Sequence, residues 1–373
     1  MAKVNDYYTS GFQGINDKPL KTLSAKALLA LDLPVRKALV YPWLREGESA
    51  MLYAATGAGK SMVALSMALG VAGRGKMMEY WDCPTPTKVL YVDGEMPLDD
   101  IQARMRWMLT TAGGDVETCL ENLHFLARNG QERLEFVDIA SDWSRDEILK
   151  IIKENDIRLV IFDNLSTLSK IENENDSSCF IEPLEFLLKL KQRGIACVLV
   201  HHANKGGLAF RGSTKLAATF EVIVRLERAF TVEETANPGA SIFKWEWEKY
   251  RGKRIMGTGT PLKVVLGGDD VDNEDNNNNE QGAAKCFDDM RSDDGSTRMI
   301  WGVKPYVPDP VAELVELVKS GIYFSQDELA EAQGVDKSTI SKRKKRAIHL
   351  KKITEEEWKQ YLTEQNEDKK DEF

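Results

Sequence analysis

Residues 52–61 read LYAATGAGKS, and their types and spacing suit the binding of a polyphosphate. Gly57 and Gly59 let the backbone aim consecutive N–H groups at one anion, with the N-terminus of a following helix behind them. Lys60 adds a mobile cation for the β- and γ-phosphates, and Ser61 a hydroxyl that can ligate Mg²⁺. The nucleotide-binding set is therefore Thr56, Gly57, Ala58, Gly59, Lys60, Ser61 and Met62. Such loops usually begin on glycine, where this chain has Ala54. That position closes the preceding strand, so a small residue with ordinary dihedrals suffices there.

A phosphate loop alone hydrolyses nothing. One carboxylate must order the metal and another must orient the attacking water. RLVIFDN ends an apolar run on Asp163, at a strand edge where α/β sheets gather their ligands, so Asp163 joins Ser61 as the metal set. KVLYVDGEMP runs into Asp93, Gly94 and Glu95; Glu95 is the candidate general base and Asp93 the alternative. ACVLVHHANKGG ends a buried strand in His201 and His202. Adjacent strand side chains point to opposite faces, which argues against a shared metal and leaves His202 to sense the γ-phosphate by hydrogen bonding.

These residues need a scaffold that brings strand ends together. The apolar runs AMLYA, KVLYVD, LHFL, RLVIFD, ACVLVHH, EVIVRL, IFKWEWEKY and LKVVL predict strands. Helical periodicity falls at about 60–73, 98–111, 144–154 and 180–193. Apolar strands alternating with helices predict an α/β fold with a mostly parallel sheet covered on both faces, extended by the later antiparallel strands. This core spans 46–267. Residues 1–45 form an N-terminal arm or adaptor, with a short amphipathic stretch at TLSAKALLALDL. Residues 268–296 are acidic, rich in Asn and poor in large apolar groups, which predicts a disordered linker.

Residues 297–373 then predict a small α-helical module. DPVAELVELVKSG, SQDELAEAQGV and DKSTISKRKKRAIHL read as three helices, the last two with the build of a helix-turn-helix, and TEQNEDKKDEF as a frayed charged tail. Residues 342–352 contain seven basic residues among eleven. That density suits phosphate contacts with DNA, through Ser338, Thr339, Lys342, Arg343, Lys345 and Arg346.

Composition narrows the class. The net charge of −9 argues against a surface basic throughout and is compatible with one basic patch. No apolar run approaches the roughly 20 residues of a membrane span. The N-terminus carries no charged-then-apolar leader, and five scattered cysteines without a CxxC pair suit a reducing, cytoplasmic setting.

The order of these motifs resembles the RecA/DnaB-type P-loop ATPases, and most closely the plasmid and phage RepA-like hexameric helicase branch, over about residues 33–266. YPWLREGESAMLYAATGAGKS resembles that branch's entry into the phosphate loop, VLYVDGEMP its catalytic-glutamate strand with Glu95, and VIFDN its metal-site strand with Asp163. HHANK falls where related helicases carry a glutamine sensor, which puts His202 in that role; FRGSTKLAATFEVIVRLER resembles their Arg-Gly-Ser segment. EKYRGK resembles the Lys-x-Arg pair that a neighbouring subunit inserts into the active site, here Lys249 and Arg251. The resemblance implies a RecA-like core using ATP and Mg²⁺, a homo-oligomeric ring such as a hexamer, and DNA and other replication proteins as partners. It implies an ATP-driven helicase or replication-initiation motor. The alternatives are a non-translocating ATP-dependent DNA switch, such as a regulator or helicase loader, and a recombination or repair ATPase, since the same core builds filaments.

Overall fold

The computed structural model describes residues 22–368 apart from 113, 133–134, 170–176, 205–208, 212–213, 229–240, 253–257, 269–298, 308, 320–322 and 324. The chain enters through α1 (Ala25–Leu29), capped by the Ser24 hydroxyl, and a hairpin of β1 (Ala38–Val40) and β2 (Leu44–Arg45). Next comes β3 (Ser49–Ala54), SAMLYA, buried at every position. Helix α2 (Lys60–Gly73) follows the phosphate loop. It is built almost wholly from Ala, Met, Leu, Val and Gly, and thirteen of its residues are buried. A helix apolar all round must be enclosed on every side, and this one lies between sheet and neighbouring helices.

A second hairpin, β4 (Lys76–Met77) and β5 (Trp81–Asp82), leads to β6 (Val89–Asp93), α3 (Leu98–Ala112), α4 (Val116–Asn122) and β7 (Leu123–Ala127). Then come α5 (Asp142–Glu154), β8 (Leu159–Asp163), the single turn α6 (Leu165–Leu168), α7 (Ile181–Gln192) and β9 (Ala196–His202). The core closes with α8 (Thr214–Thr219), β10 (Val222–Arg228), β11 (Ser241–Tyr250), β12 (Leu262–Gly268) and β13 (Met299–Pro305).

The nine-stranded sheet has the order β13-β12-β11-β10-β3-β9-β8-β6-β7. From β10 to β7 every pair is parallel, and β11, β12 and β13 extend it antiparallel. Alternation along β3 divides the core. Ala50, Leu52 and Ala54 pack with α2 on one face, Met51 and Tyr53 with residues of α5 and α7 on the other. This is the expected α/β sheet, with the parallel strands sending their C-terminal ends to one edge.

Three boundaries differ from the sequence expectation. Residues 38–45 belong to the core: Leu39, Val40, Trp43 and Leu44 are buried, and Trp43 packs edge-on against Trp81, Trp245 and Trp247. Met299–Pro305 is not the start of the helical module but the sheet's last strand, paired with β12 and burying Trp301. A periodic apolar pattern beyond a polar linker carries no label of which domain it completes. The charged tail is helical as far as Asp368, as the continuation of α12 (Glu355–Asp368), whose first half buries Trp358. The acidic linker lies outside the described residues but for Gly268.

The C-terminal unit has its own core. Helices α9 (Pro310–Lys319), α10 (Gln326–Ala332), α11 (Lys337–His349) and α12 bury Val311, Leu314, Val315, Val318, Leu329, Ile340, Ala347, Ile353 and Trp358. Trp358→Ala is expected to cost about 3–5 kcal/mol, enough to unfold a core this small. Hydrogen exchange should show protection lost across 310–362 and retained in β3, β8 and β9.

Candidate functional site

Beyond Ala54 the backbone turns through Gly57 at φ 78° and Gly59 at φ 82°. An added Cβ would meet no atom within 4 Å at Gly57, so left-handed backbone, not crowding, requires glycine there. Gly59 is the N-cap of α2 and leaves the first-turn amides open toward the loop. Ala54 is a strand residue with no positive φ; its side chain is buried in the core, and its carbonyl accepts from the Ala203 amide at 2.8 Å. The missing glycine is thereby explained.

Lys60 is 7% exposed, and its Nζ donates to Ala54 O at 3.2 Å and Ala55 O at 2.8 Å. Burial lowers its pKa, the carboxylates of Asp163 and Glu95 raise it, and nearby Arg211 lowers it further. A half-desolvated ammonium held by carbonyls is poised to receive an anion. Asp163, at the end of β8, is buried and accepts from Tyr91 Oη at 2.6 Å and from the Ser61 hydroxyl. Burial pushes its carboxyl above the usual range, partly offset by those two donors and by Lys60.

Asp93 lies directly across from Asp163 in the parallel register, and His202 beside Ala54. Burial raises Asp93 to about 6, although its Oδ1 accepts from the Glu95 and Met96 amides at 2.8 and 2.7 Å. Its carboxylate is thus engaged in shaping the turn. Glu95 is exposed and receives the Asn164 side-chain amide at 2.9 Å.

These strand ends open onto one cavity of about 560 Å³, lined by Thr56, Gly57, Gly59, Lys60, Ser61, Met62, Asp93, Glu95, Asp163 and His202. Ala58 is the exception in the expected loop set: its side chain packs back on the core. The contact between the Ser61 hydroxyl and the Asp163 carboxylate fits a magnesium ion, a hard cation that takes one or two protein oxygens and completes its shell from phosphate and water. No group of three or more His, Cys, Asp or Glu among the described residues could hold a metal by itself.

Among the cavity residues that carry no signal of their own in the sequence are Arg104 on α3 and Asn164 after β8. Arg104 stands within a helix whose local pattern marks no ligand. Asn164 is visible there only as the residue after Asp163. His201 is buried, with Nε2 2.8 Å from Arg211 O, so it braces the segment after β9 while His202 faces the cavity.

Lys249 and Arg251 are not brought to this cavity within one chain. Lys249 pairs across from Ile223, which pairs with Met51, so both cations stand at the sheet edge opposite the phosphate loop. There Lys249 Nζ donates to Ala217 O, and Arg251 donates to Ala218 O at 3.4 Å.

In the C-terminal unit, α11 is capped by Asp336, which accepts from the Thr339 amide and the Ser338 hydroxyl, both at 2.7 Å. Ser338, Lys342, Lys345, Arg346 and His349 are exposed at helical spacing on one face. Arg343 lies off that face, half-buried, with its guanidinium 2.7 Å from Gln333 Oε1. Lys344 and Lys352 are held by Glu355 and Asp309, at 2.6 and 2.7 Å. The dense basic run is therefore divided between an outward stripe and the unit's own fastenings.

No helix among the described residues is long and apolar enough to cross a membrane. Cys83, Cys119, Cys179 and Cys197 are free thiols.

Comparison with known proteins bears on the same segment. No curated protein matches the chain. Among solved structures, the KaiC-like protein PH0186 from Pyrococcus horikoshii OT3 is similar at 15% identity and a TM-score of 0.43, covering 61% of this chain and 88% of that one. The RadB recombinase is similar at 17% identity and a TM-score of 0.39, covering 59% and 87%. The profile of the AAA domain, AAA_25, matches residues 17–207, just over half the chain, and takes in the phosphate loop and the strand ends around it. By that match the chain belongs to the AAA-domain family of P-loop ATPases.

Proposed function

We propose that this chain hydrolyses ATP as an oligomeric motor acting on DNA, of the replicative helicase or replication-initiation kind. The observation that carries the reading is the meeting of Lys60, Ser61, Asp163, Glu95 and His202, from four strand ends, in one cavity. The triphosphate lies along Thr56–Met62 with Lys60 at its terminal oxygens. Ser61 and Asp163 hold Mg²⁺, which supplies positive charge to the phosphate oxygens when bound. Glu95, exposed where Asp93 is buried and engaged, takes the water's proton. His202 reports the γ-phosphate to the segment after β9.

The oligomeric reading is supported by the placement of two cations. Lys249 and Arg251 can serve a phosphate loop only if a neighbour's loop comes to them. That contact joins opposite ends of identical subunits, which closes into a ring such as a hexamer or runs on as a filament. The DNA contact rests on the exposed stripe of α11, and other replication proteins are further partners.

A second reading draws on the helix-turn-helix build expected of residues 325–352. A helix-turn-helix reads duplex DNA in the major groove, which a ring tracking a single strand does not require. In that reading the chain is a non-translocating switch, a regulator or loader, whose nucleotide state governs assembly. Strand displacement on forked DNA, run beside phosphate release, separates the two. ATP-dependent unwinding supports the motor and turnover without unwinding the switch; no turnover under either condition overturns both.

The DNA contact has a separate expected result. Reversing Lys342, Lys345 and Arg346 to glutamate should weaken duplex binding and flatten the slope of log K against log salt by about 3, close to one unit for each phosphate no longer neutralised. An unchanged slope would make α11 a protein-interaction surface instead.

A further inference from the structure

Asn164 occupies the N-cap of α6, where an asparagine side chain ordinarily accepts from the amides of the first turn. Here it makes no such bond. Its Nδ2 instead reaches from the end of β8 to the loop after β6 and donates to Glu95 Oε2 at 2.9 Å. The residue is 4% exposed and lines the nucleotide cavity, and its Oδ1 is buried without a hydrogen-bond partner among the described residues. Giving up a cap and burying an unsatisfied acceptor both cost stability. A side chain locally unfavourable on two counts, and aimed at the candidate base, is better explained by function than by folding.

The loop that carries Glu95 shows what remains to be fixed. Its backbone is tied down on all sides. The Gly94 amide donates to Asp163 O at 2.9 Å, and Asp93 holds the Glu95 and Met96 amides. Arg128 bridges Gly94 O and Thr167 O at 2.8 and 2.6 Å, and Asn129 donates to Met96 O at 3.0 Å. These bonds place the Glu95 Cα and leave its side-chain torsions free. An exposed glutamate would sample many rotamers, few of which aim at an attacking water.

We infer that Asn164 is the positioning residue of this site: it holds Glu95 Oε2 and so presents Oε1 to the attacking water. Oε1 takes one proton of that water as the water oxygen bonds to the γ-phosphorus. The bond from that phosphorus to the bridging oxygen breaks, leaving ADP and phosphate. The inference rests on Glu95 being the base, and its test separates the two claims.

The test compares full-length wild type, Asn164→Ala, Asn164→Asp, Glu95→Gln and the double variant Glu95→Gln/Asn164→Ala. Readouts are kcat and KM for ATP, binding of a fluorescent ATP analogue, and Tm. Asn164→Ala should lower kcat about ten- to a hundredfold while KM and analogue binding move less than about threefold, since the contact orients a base and does not hold nucleotide. Its Tm should be unchanged or higher, because the orphaned oxygen is gone. Asn164→Asp keeps the shape but sets an oxygen against the carboxylate, and should be at least as slow as alanine. The double variant should be no slower than Glu95→Gln, because a residue acting through Glu95 has nothing left to act on.

A kcat for Asn164→Ala within about threefold of wild type, beside a slow Glu95→Gln, overturns the inference and leaves the base assignment standing. So does recovery by Asn164→Asp, further slowing in the double variant, or loss of analogue binding in both Asn164 variants. Near-normal turnover by Glu95→Gln overturns the base assignment itself. Should the alanine variant fail to fold, the isosteric aspartate carries the same comparison.

Discussion

Replacing Lys60 by alanine is expected to abolish ATP turnover and leave the fold intact. The residue is 7% exposed and its ammonium is bound to two loop carbonyls, Ala54 O and Ala55 O. Burial already lowers its hold on the proton, which means the folded chain alone does not fully compensate the charge. Terminal phosphate oxygens supply that compensation, and the cation in turn neutralises charge that grows at the γ-phosphate during transfer. Losing one such preorganised donor costs at least about a hundredfold, and a full positive charge in a buried site costs more. The variant should melt no lower than wild type, because a poorly solvated cation is removed. Phosphate release, binding of a fluorescent ATP analogue and thermal melting together check this. A Lys60→Ala protein that binds and hydrolyses ATP normally would remove the phosphate loop from the site.

The second large effect concerns assembly. Arg251→Ala and Glu95→Gln should each be nearly inactive alone, and mixing the two before assembly should recover part of the activity. A guanidinium stays charged at any working pH and forks onto γ-phosphate oxygens, so it stabilises transition-state charge wherever a neighbour delivers it. In a head-to-tail contact, an Arg251→Ala subunit that supplies the glutamate, next to a Glu95→Gln subunit that supplies the arginine, makes one complete site. An arginine acting within its own chain would give no recovery at any ratio, since every subunit would still lack one group. Two affinity tags on the two variants establish that mixed oligomers have formed. Silence in confirmed mixtures would take Arg251 out of the site and, with it, the argument for a ring.

Much of this site is legible in the order of amino acids alone. Glycines at 57 and 59, followed by Lys60 and Ser61, specify backbone conformation and chemistry within a few residues, and short-range order survives any tertiary arrangement. Asp163 and His202 are legible because each ends an apolar run, and apolar runs between helical segments become parallel strands whose ends converge. Ala54 is legible too: a strand's last residue needs no left-handed backbone.

Features that depend on neighbours distant in sequence are not legible in this way. That Asp93 is buried and holds amides two and three residues ahead of it, while Glu95 is exposed, depends on the folded turn. Arg104 reaches the cavity from within α3, and Asn164 meets Glu95 because β8 and β6 are adjacent although 69 residues separate the two. The seven basic residues at 342–352 look equivalent in sequence; packing divides them, because helix faces are assigned by the partners that bury the opposite side. Met299–Pro305 likewise falls with the wrong unit when judged by its own residues, since a strand's pairing is fixed by an edge elsewhere in the chain. Local sequence determined the phosphate loop and every strand of the main sheet except Met299–Pro305, in their order along the chain. Tertiary structure decided which polar groups face each other, because those contacts join residues that no local periodicity relates.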